Sequence, residues 1–288
     1  MTGAQQGLLL LTSALGDPNR KPLSVAQFRV LTQRVRESLP VHEDRDLMPE
    51  DIIRLGYDEA FAWRVLTLLS QKEQLMHYLQ EAARFDCFPI TRHSEDYPNA
   101  LREILGADAP GSLWAKGDAS ILNLPGVALV GSRNLLPANE AFAQEVGKQA
   151  ALCGLVLISG NARGADTAAQ ESALAHGGKV ISIVADSLKK CPVRKNTVYI
   201  SEDGFDMCFS AQRALQRNRL IHALGEKVFV AQCDLYKGGT WSGTVKNLQQ
   251  GKRAVFCFAD GSEAVHELVQ KGARAIDADE IGNCMKDK

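Results

Sequence analysis

Through the first 84 residues apolar side chains recur at three- and four-residue steps. In "LSVAQFRVLTQRV" (23–35) and "FAWRVLTLLSQKEQLMHYLQEAARF" (61–85) this spacing lays an apolar stripe along a helix. Pro40, Pro49 and Gly56 punctuate the segments between them. No β-rich run intervenes, so 1–84 reads as a small all-helical domain. From about residue 120 the rhythm changes. "VALV" (127–130), "LVLIS" (155–159), "KVISIVA" (179–185), "KVFVAQC" (227–233) and "AVFCF" (254–258) are short, β-branched-rich runs suited to buried strands. Helical patterns fall at 138–152, 166–176, 210–224 and 241–250. Gly154, Gly177-Gly178, Gly225 and Gly251 stand where these helices end, as C′ glycines do. Alternating strands and helices predict an α/β fold, a doubly wound parallel sheet of extended Rossmann-like type, over 85–288. Residues 86–119, with three prolines, read as a connector carrying an extra strand at "SLWAKG".

Composition changes this picture little. Of 288 residues, 45% are hydrophobic and 23% charged, enough to build a packed core. A net charge of −1 means that any anion site must come from local clustering. Seven cysteines without a CxxC pair suggest reduced thiols, with Cys233 and Cys257 in the core. Six histidines show no ligand spacing, so no metal site is expected. "LLLLTSALG" (8–16) has no preceding Lys or Arg and is short for a signal segment, so a cytoplasmic location is expected.

Candidate chemistry sits after the strands, where open α/β sheets bind ligands. Gly131, Ser132 and Arg133 follow the first run. Ser159 ends the second, and Gly160, Arg163 and Gly164 follow it. Gly239 and Thr240 lie in "KGGTWSGT" (237–244), after the fourth. Glycine allows close backbone approach, helix N-termini favour anions, and arginine forks match phosphate oxygens. Asp166 is expected to cap the helix after the second loop. No GxxxxGK[ST] and no GxGxxG occurs, which disfavours a P-loop and a dinucleotide site, and no cofactor is expected.

Between Ser187 and Arg219 stand seven bases (Lys189, Lys190, Arg194, Lys195, Arg213, Arg217, Arg219) against three acids. Such a stretch suits a groove that tracks a nucleic-acid backbone, or else a solvated helix face. Phe205, Phe209, Tyr199 and Trp241 are candidates for base stacking, with core packing the commoner role. No catalytic residue stands out. Ser132, Ser159 and Ser242 lack a GxSxG context, and His222 has packing spacing.

Together, "VALVGSR" (127–133), "LISGNARGADTAAQESAL" (157–174), "SE" (201–202), "RNRLI" (217–221), "KVFVAQ" (227–232) and "GGT" with "GKRAVFCF" (238–258) resemble the DNA-processing protein A (DprA/Smf) family of bacterial transformation proteins. "YPNALREI" (97–104) and "SLWAKGD" (112–118) fit the lead-in to that family's extended Rossmann domain. The resemblance implies a non-catalytic single-stranded DNA binder that forms homodimers and helps load the RecA recombinase. It implies that Arg133, the Ser159–Gly164 loop and Arg217–Arg219, with Asn218 among them, line the DNA-phosphate pocket. The chain departs from the family at Gln170, where His is usual, and at Gln232, where an acid is usual. The loop around "CPVRKN" (191–196) is shortened, and no winged helix follows residue 280.

Two other readings stay open. "GGTWSGT" is similar to the Pro-Gly-Gly-x-Gly-Thr loop of "lonely guy" nucleotide phosphoribohydrolases. Their glutamate is missing here, where Val245, Lys246 and Asn247 follow, and a hydrolase needs a base near its water. A nucleotide-sensing module would use the same phosphate loops without a DNA groove.

Overall fold

The computed structural model describes residues 1–17, 19–38 and 47–286; Pro40 lies outside the described residues. Five helices come first: α1 (Gly3–Thr12), α2 (Val25–Ser38), α3 (Pro49–Arg54), α4 (Glu59–Ser70) and α5 (Lys72–Ala83). Leu8, Leu23, Phe28, Leu31, Ile52, Val65 and Leu68 form a core contributed by these helices and the segment leading into α2. A second cluster joins Leu9, Leu10, Leu75 and Tyr78 to Trp114 and Tyr199 of the following sheet and to Phe205 in a loop beside it. The apolar run at 8–10 is therefore core. No helix among the described residues is long and apolar enough to cross a membrane.

The rest of the chain runs β1 (Cys87–Thr91), α6 (Asn99–Leu105), β2 (Ser112–Gly117), β3 (Gly126–Val130), α7 (Pro137–Leu152), β4 (Val156–Gly160), α8 (Ala165–Ala175), β5 (Lys179–Ile183) and β6 (Thr197–Ser201). It continues through α9 (Ala211–Leu224), β7 (Lys227–Val230), α10 (Gly238–Gln250), β8 (Ala254–Phe258), α11 (Glu263–Gln270), β9 (Arg274–Ile276) and α12 (Ile281–Lys286). The nine strands lie in the order β1-β2-β6-β5-β4-β3-β7-β8-β9. From β6 to β9 all pairs are parallel, while β1 and β2 are antiparallel additions at one edge. The expected doubly wound parallel sheet is present, and this antiparallel pair extends it at one margin. Pro89 sits in β1, the outermost strand, where a missing N–H costs no ladder bond.

Side-chain alternation sets the layers. In β3, Val127 and Leu129 face one core cluster, while Ala128 and Val130 face another. β7 divides likewise, Phe229 against Val228 and Val230. The first cluster takes α7, α8 and α12; the other takes α6, α9, α10 and α11. A strand with both faces covered needs an unbroken apolar run, which is what the sequence supplies. Gly225 differs from the expected C′ role. It has extended dihedrals (φ −74, ψ 135), and a Cβ there would lie 2.5 Å from the Ala128 nitrogen, so close approach to β3 explains it.

Strand order reverses at β3. The chain steps from β3 through β4, β5 and β6 in one direction and returns to β7 on the other side. The crevice this leaves lies beyond the carboxyl ends of β3, β4 and β7, where open α/β sheets take their ligands.

Candidate functional site

Three loops meet at that crevice, and their contacts close into a ring. The loop after β3 packs on the loop after β4. Ala165 N–H donates to the Ser132 carbonyl at 3.1 Å, and Arg163 Nη2 donates to Asn134 Oδ1 at 3.2 Å. Gly164, at φ +82, lies against Ser132 and Arg133; a Cβ there would come within 2.5 Å of the Ser132 oxygen. Only glycine meets both demands. The loop after β4 then meets α9, since a Cβ at Gly160 would sit 1.4 Å from Arg217 Nη1. On α9, Asn218 adjoins Gly239 at the start of α10. Thr240 Oγ1 donates to the Gly131 carbonyl at 3.1 Å and completes the circuit.

Within this ring the cations have different settings. Arg133 and Arg163 are exposed and have no acid within ion-pair distance among the described residues. The Arg133 guanidinium lies 5.4 Å from the centre of the Phe209 ring. Arg217 is largely buried, with Nη2 3.5 Å from Asp166 Oδ2. Its Nε and Nη1 have no hydrogen-bond partner among the described residues. Burial pushes the Asp166 carboxyl above its usual range, and the neighbouring Arg217 opposes that shift. A buried guanidinium with two unpartnered nitrogens is costly unless an acceptor satisfies their N–H donors.

Asp166 is not the helix cap expected from the sequence. Because Gly164 turns sharply, α8 starts at Ala165 with Gly164 as its N-cap, and Asp166 points inward. There it accepts from Ala162 N–H at 3.2 Å and holds Arg217. Its partnership with Arg217 had no local signal, because the two residues lie on different helices.

Ser159 is fully buried behind the loop. Gln170 Nε2 donates to Ser159 Oγ (2.6 Å), to the Gly160 carbonyl and to Ser182 Oγ (3.2 Å). It fastens the end of β4 to α8 and β5. Gln232 bridges two loops. Its Oε1 accepts from Leu136 N–H at 2.9 Å, and its Nε2 donates to the Asn134 carbonyl at 3.2 Å. Both departures from the family pattern are thus built into the scaffold of the ring.

Two of the expected site residues lie elsewhere. Arg219 pairs with Glu202, donates to the Asp108 carbonyl at 2.9 Å, and faces a separate hollow of about 1040 Å³ between α2, α6, α9 and α10. That hollow shares Asn218 with the loop ring. Lys195 precedes β6, which runs parallel to β5 and so places Lys195 at the amino-terminal edge of the sheet. There it lines a different hollow with Asp86, Gly117 and Asp118. Of the stacking candidates, Tyr199, Phe205 and Trp241 are buried, whereas Phe209 is 49% exposed. Tyr236, which sequence reasoning missed, is 65% exposed.

Comparison with known proteins accords with this geometry. The family described as DNA recombination-mediator protein A matches residues 88–286. The chain belongs to that family. It is 33% identical over 217 residues to the DNA processing protein DprA of Streptococcus pneumoniae, covering 69% of this chain and 74% of that protein. The X-ray structure of DprA from the same organism superposes with a TM-score of 0.73 at 26% identity, covering 100% of this chain and 99% of that one. A Helicobacter pylori DNA processing protein A, whose structure is described for its single-stranded DNA binding mode, gives a TM-score of 0.60 at 28% identity. It covers 70% of this chain and 97% of the other. Family membership extends across the three loops and α9.

Proposed function

We propose that this recombination-mediator family member binds single-stranded DNA at the ring of loops, without breaking a bond in it. Arg133 and Arg163 supply exposed forks for phosphate oxygens, and the N-terminus of α8 adds a favourable dipole. Asn218, Gly239 and Thr240 form the opposite wall. The observation that carries this reading is Arg217. It is packed on Gly160 beside the crevice, held by Asp166, and left with two nitrogens, Nε and Nη1, whose N–H donors are unmet among the described residues. A phosphate oxygen is the acceptor this arrangement lacks. In the same reading the molecule acts as a cytoplasmic homodimer with a RecA-type recombinase, and the helices over 1–84 form a unit distinct from 85–288.

The deciding measurement is a salt titration of binding to a single-stranded oligonucleotide, with a duplex of equal length alongside. Tighter binding to the single strand, with log affinity falling linearly in log salt, supports the proposal. Equal affinity for both forms, or release of free base from a nucleoside monophosphate, overturns it. Light scattering and recombinase co-sedimentation test the assembly statements separately.

A further inference from the structure

Four non-glycine residues among those described have a positive φ: Leu15, Asp86, Asn196 and Tyr236. Three have evident reasons. Leu15 is 3% exposed and anchored in the core joining helices to sheet. Asp and Asn enter the left-handed region readily because their short polar side chains bond locally. Tyr236, at φ +57, is bulky and mostly exposed. A large aromatic there carries a backbone cost that burial does not offset. Glycine at the position would fold more easily.

The location of Tyr236 gives the strain a use. It stands at the tip of the loop between β7 and α10. Both ends of that loop are tied to the one carrying Arg133: Gln232 bonds to Asn134 and Leu136, and Thr240 bonds to Gly131. The ring meets Trp241 edge-on, with centroids 5.1 Å apart at 78°. Trp241 is itself buried in the sheet core, so the tyrosine is braced from below. Leu136 and Leu215, both exposed, lie on neighbouring segments: Leu136 N–H donates to Gln232, and the Leu215 side chain lies beside Gly239. Phe209, under the Arg133 guanidinium, marks another side of the same crevice.

We infer that Tyr236 is a base-stacking residue, held beside the phosphate cradle to receive an unpaired nucleobase. This rests on the DNA reading above and adds a source of single-strand selectivity. Phosphates are present in duplex and single strand alike, whereas a base face is free only when unpaired. Stacking on an aromatic is tolerant of sequence, because every base has a π-face.

The test uses the full chain with an oligo-dT strand and with a strand of equal length containing abasic sites, each titrated over several salt concentrations. Tyr236→Gly and Tyr236→Ala should weaken oligo-dT binding about tenfold. They should leave the salt slope and abasic-strand affinity unchanged, while Tyr236→Phe keeps wild-type affinity. Tyr236→Gly also relieves the backbone, so a folding defect cannot mimic the result. Equal weakening on both strands, or none on either, overturns the stacking role with phosphate binding intact. A wild-type protein that binds neither strand in a salt-dependent way removes the DNA reading itself, and this inference with it.

Discussion

The loop ring and the segment 187–219 look alike as strings of arginine and lysine, yet they use their cations in opposite ways. Six of the seven bases in the segment have an acid within ion-pair distance. The pairs are Lys189–Asp206, Lys190–Asp186, Arg194–Glu171, Arg213–Asp203, Arg217–Asp166 and Arg219–Glu202. Arg133 and Arg163, only two residues in two short loops, have none among the described residues. A dense basic stretch can therefore be structural, while the two isolated arginines of the loop ring are left without an acid partner among the described residues. Arg217 belongs to both sets, with one nitrogen near Asp166 and two unmet.

The largest test of this contrast is Arg213→Ala. Arg213 bonds Asp203 at 2.6 Å, the carbonyls of Ala185, Met207 and Cys208, and Ser201 Oγ at 3.0 Å, with its side chain almost buried. Its loss leaves several acceptors without a donor and should cost about 3–5 kcal/mol in a urea denaturation curve. The salt slope for DNA should stay at the wild-type value in the folded fraction. A marginal stability change with a lower slope would return Arg213 to the DNA-contact set.

The physical reason the sequence misleads here is range. Runs such as "VALV" and "LVLIS" declare β3 and β4 because a strand buried on both faces must be locally apolar throughout. The Gly160 and Gly164 loops are legible because glycine at a strand end has few other uses. The partners of Arg213 and Arg219 come from other elements, as Asp166 does for Arg217, and no spacing encodes them. β6 was hidden for a related reason. "TVYIS" (197–201) closely follows Lys189, Lys190, Arg194 and Lys195, and this charged flank masks a short β-rich run. Tyr236 carries no motif; its exposure and dihedral appear only in three dimensions.

His222 sharpens the comparison from the side of a base kept uncharged. It lies on α9, one turn beyond Asn218. Burial pushes its imidazole down to about 4, and neither ring nitrogen has a partner among the described residues. The folded value lies below the unfolded one, so the unfolded chain takes the proton first as pH falls. Stability from this group is complete above about 6.5 and declines toward pH 4 by roughly 1.4 kcal/mol per pH unit. Subtracting the stability profile of His222→Leu from that of the wild type should isolate this slope. A flat difference between pH 6.5 and 4 would mean that the ring gains a partner on protonation.

Smaller still in folding terms are Arg133→Ala and Arg163→Ala. Both side chains are exposed, so stability should stay within about 0.5 kcal/mol of wild type. Each should nevertheless reduce the log–log salt slope of single-strand binding by about one. Unchanged slopes in both variants would erase the distinction between free and paired cations on which the DNA reading depends.

The smallest effect is expected at Lys195, and there a null result is informative. Lys195 is exposed, and no acid lies within ion-pair distance of it among the described residues, so by charge alone it resembles Arg133. It differs in position, since the start of β6 is at the sheet edge opposite the crevice. If geometry governs binding, Lys195→Ala leaves affinity and salt slope for a short single strand unchanged. The informative variable is strand length. A slope that drops by one only on longer oligonucleotides would show DNA leaving the crevice and wrapping to the far edge. A drop on the shortest strand that binds would place the primary contact at the wrong end of the sheet.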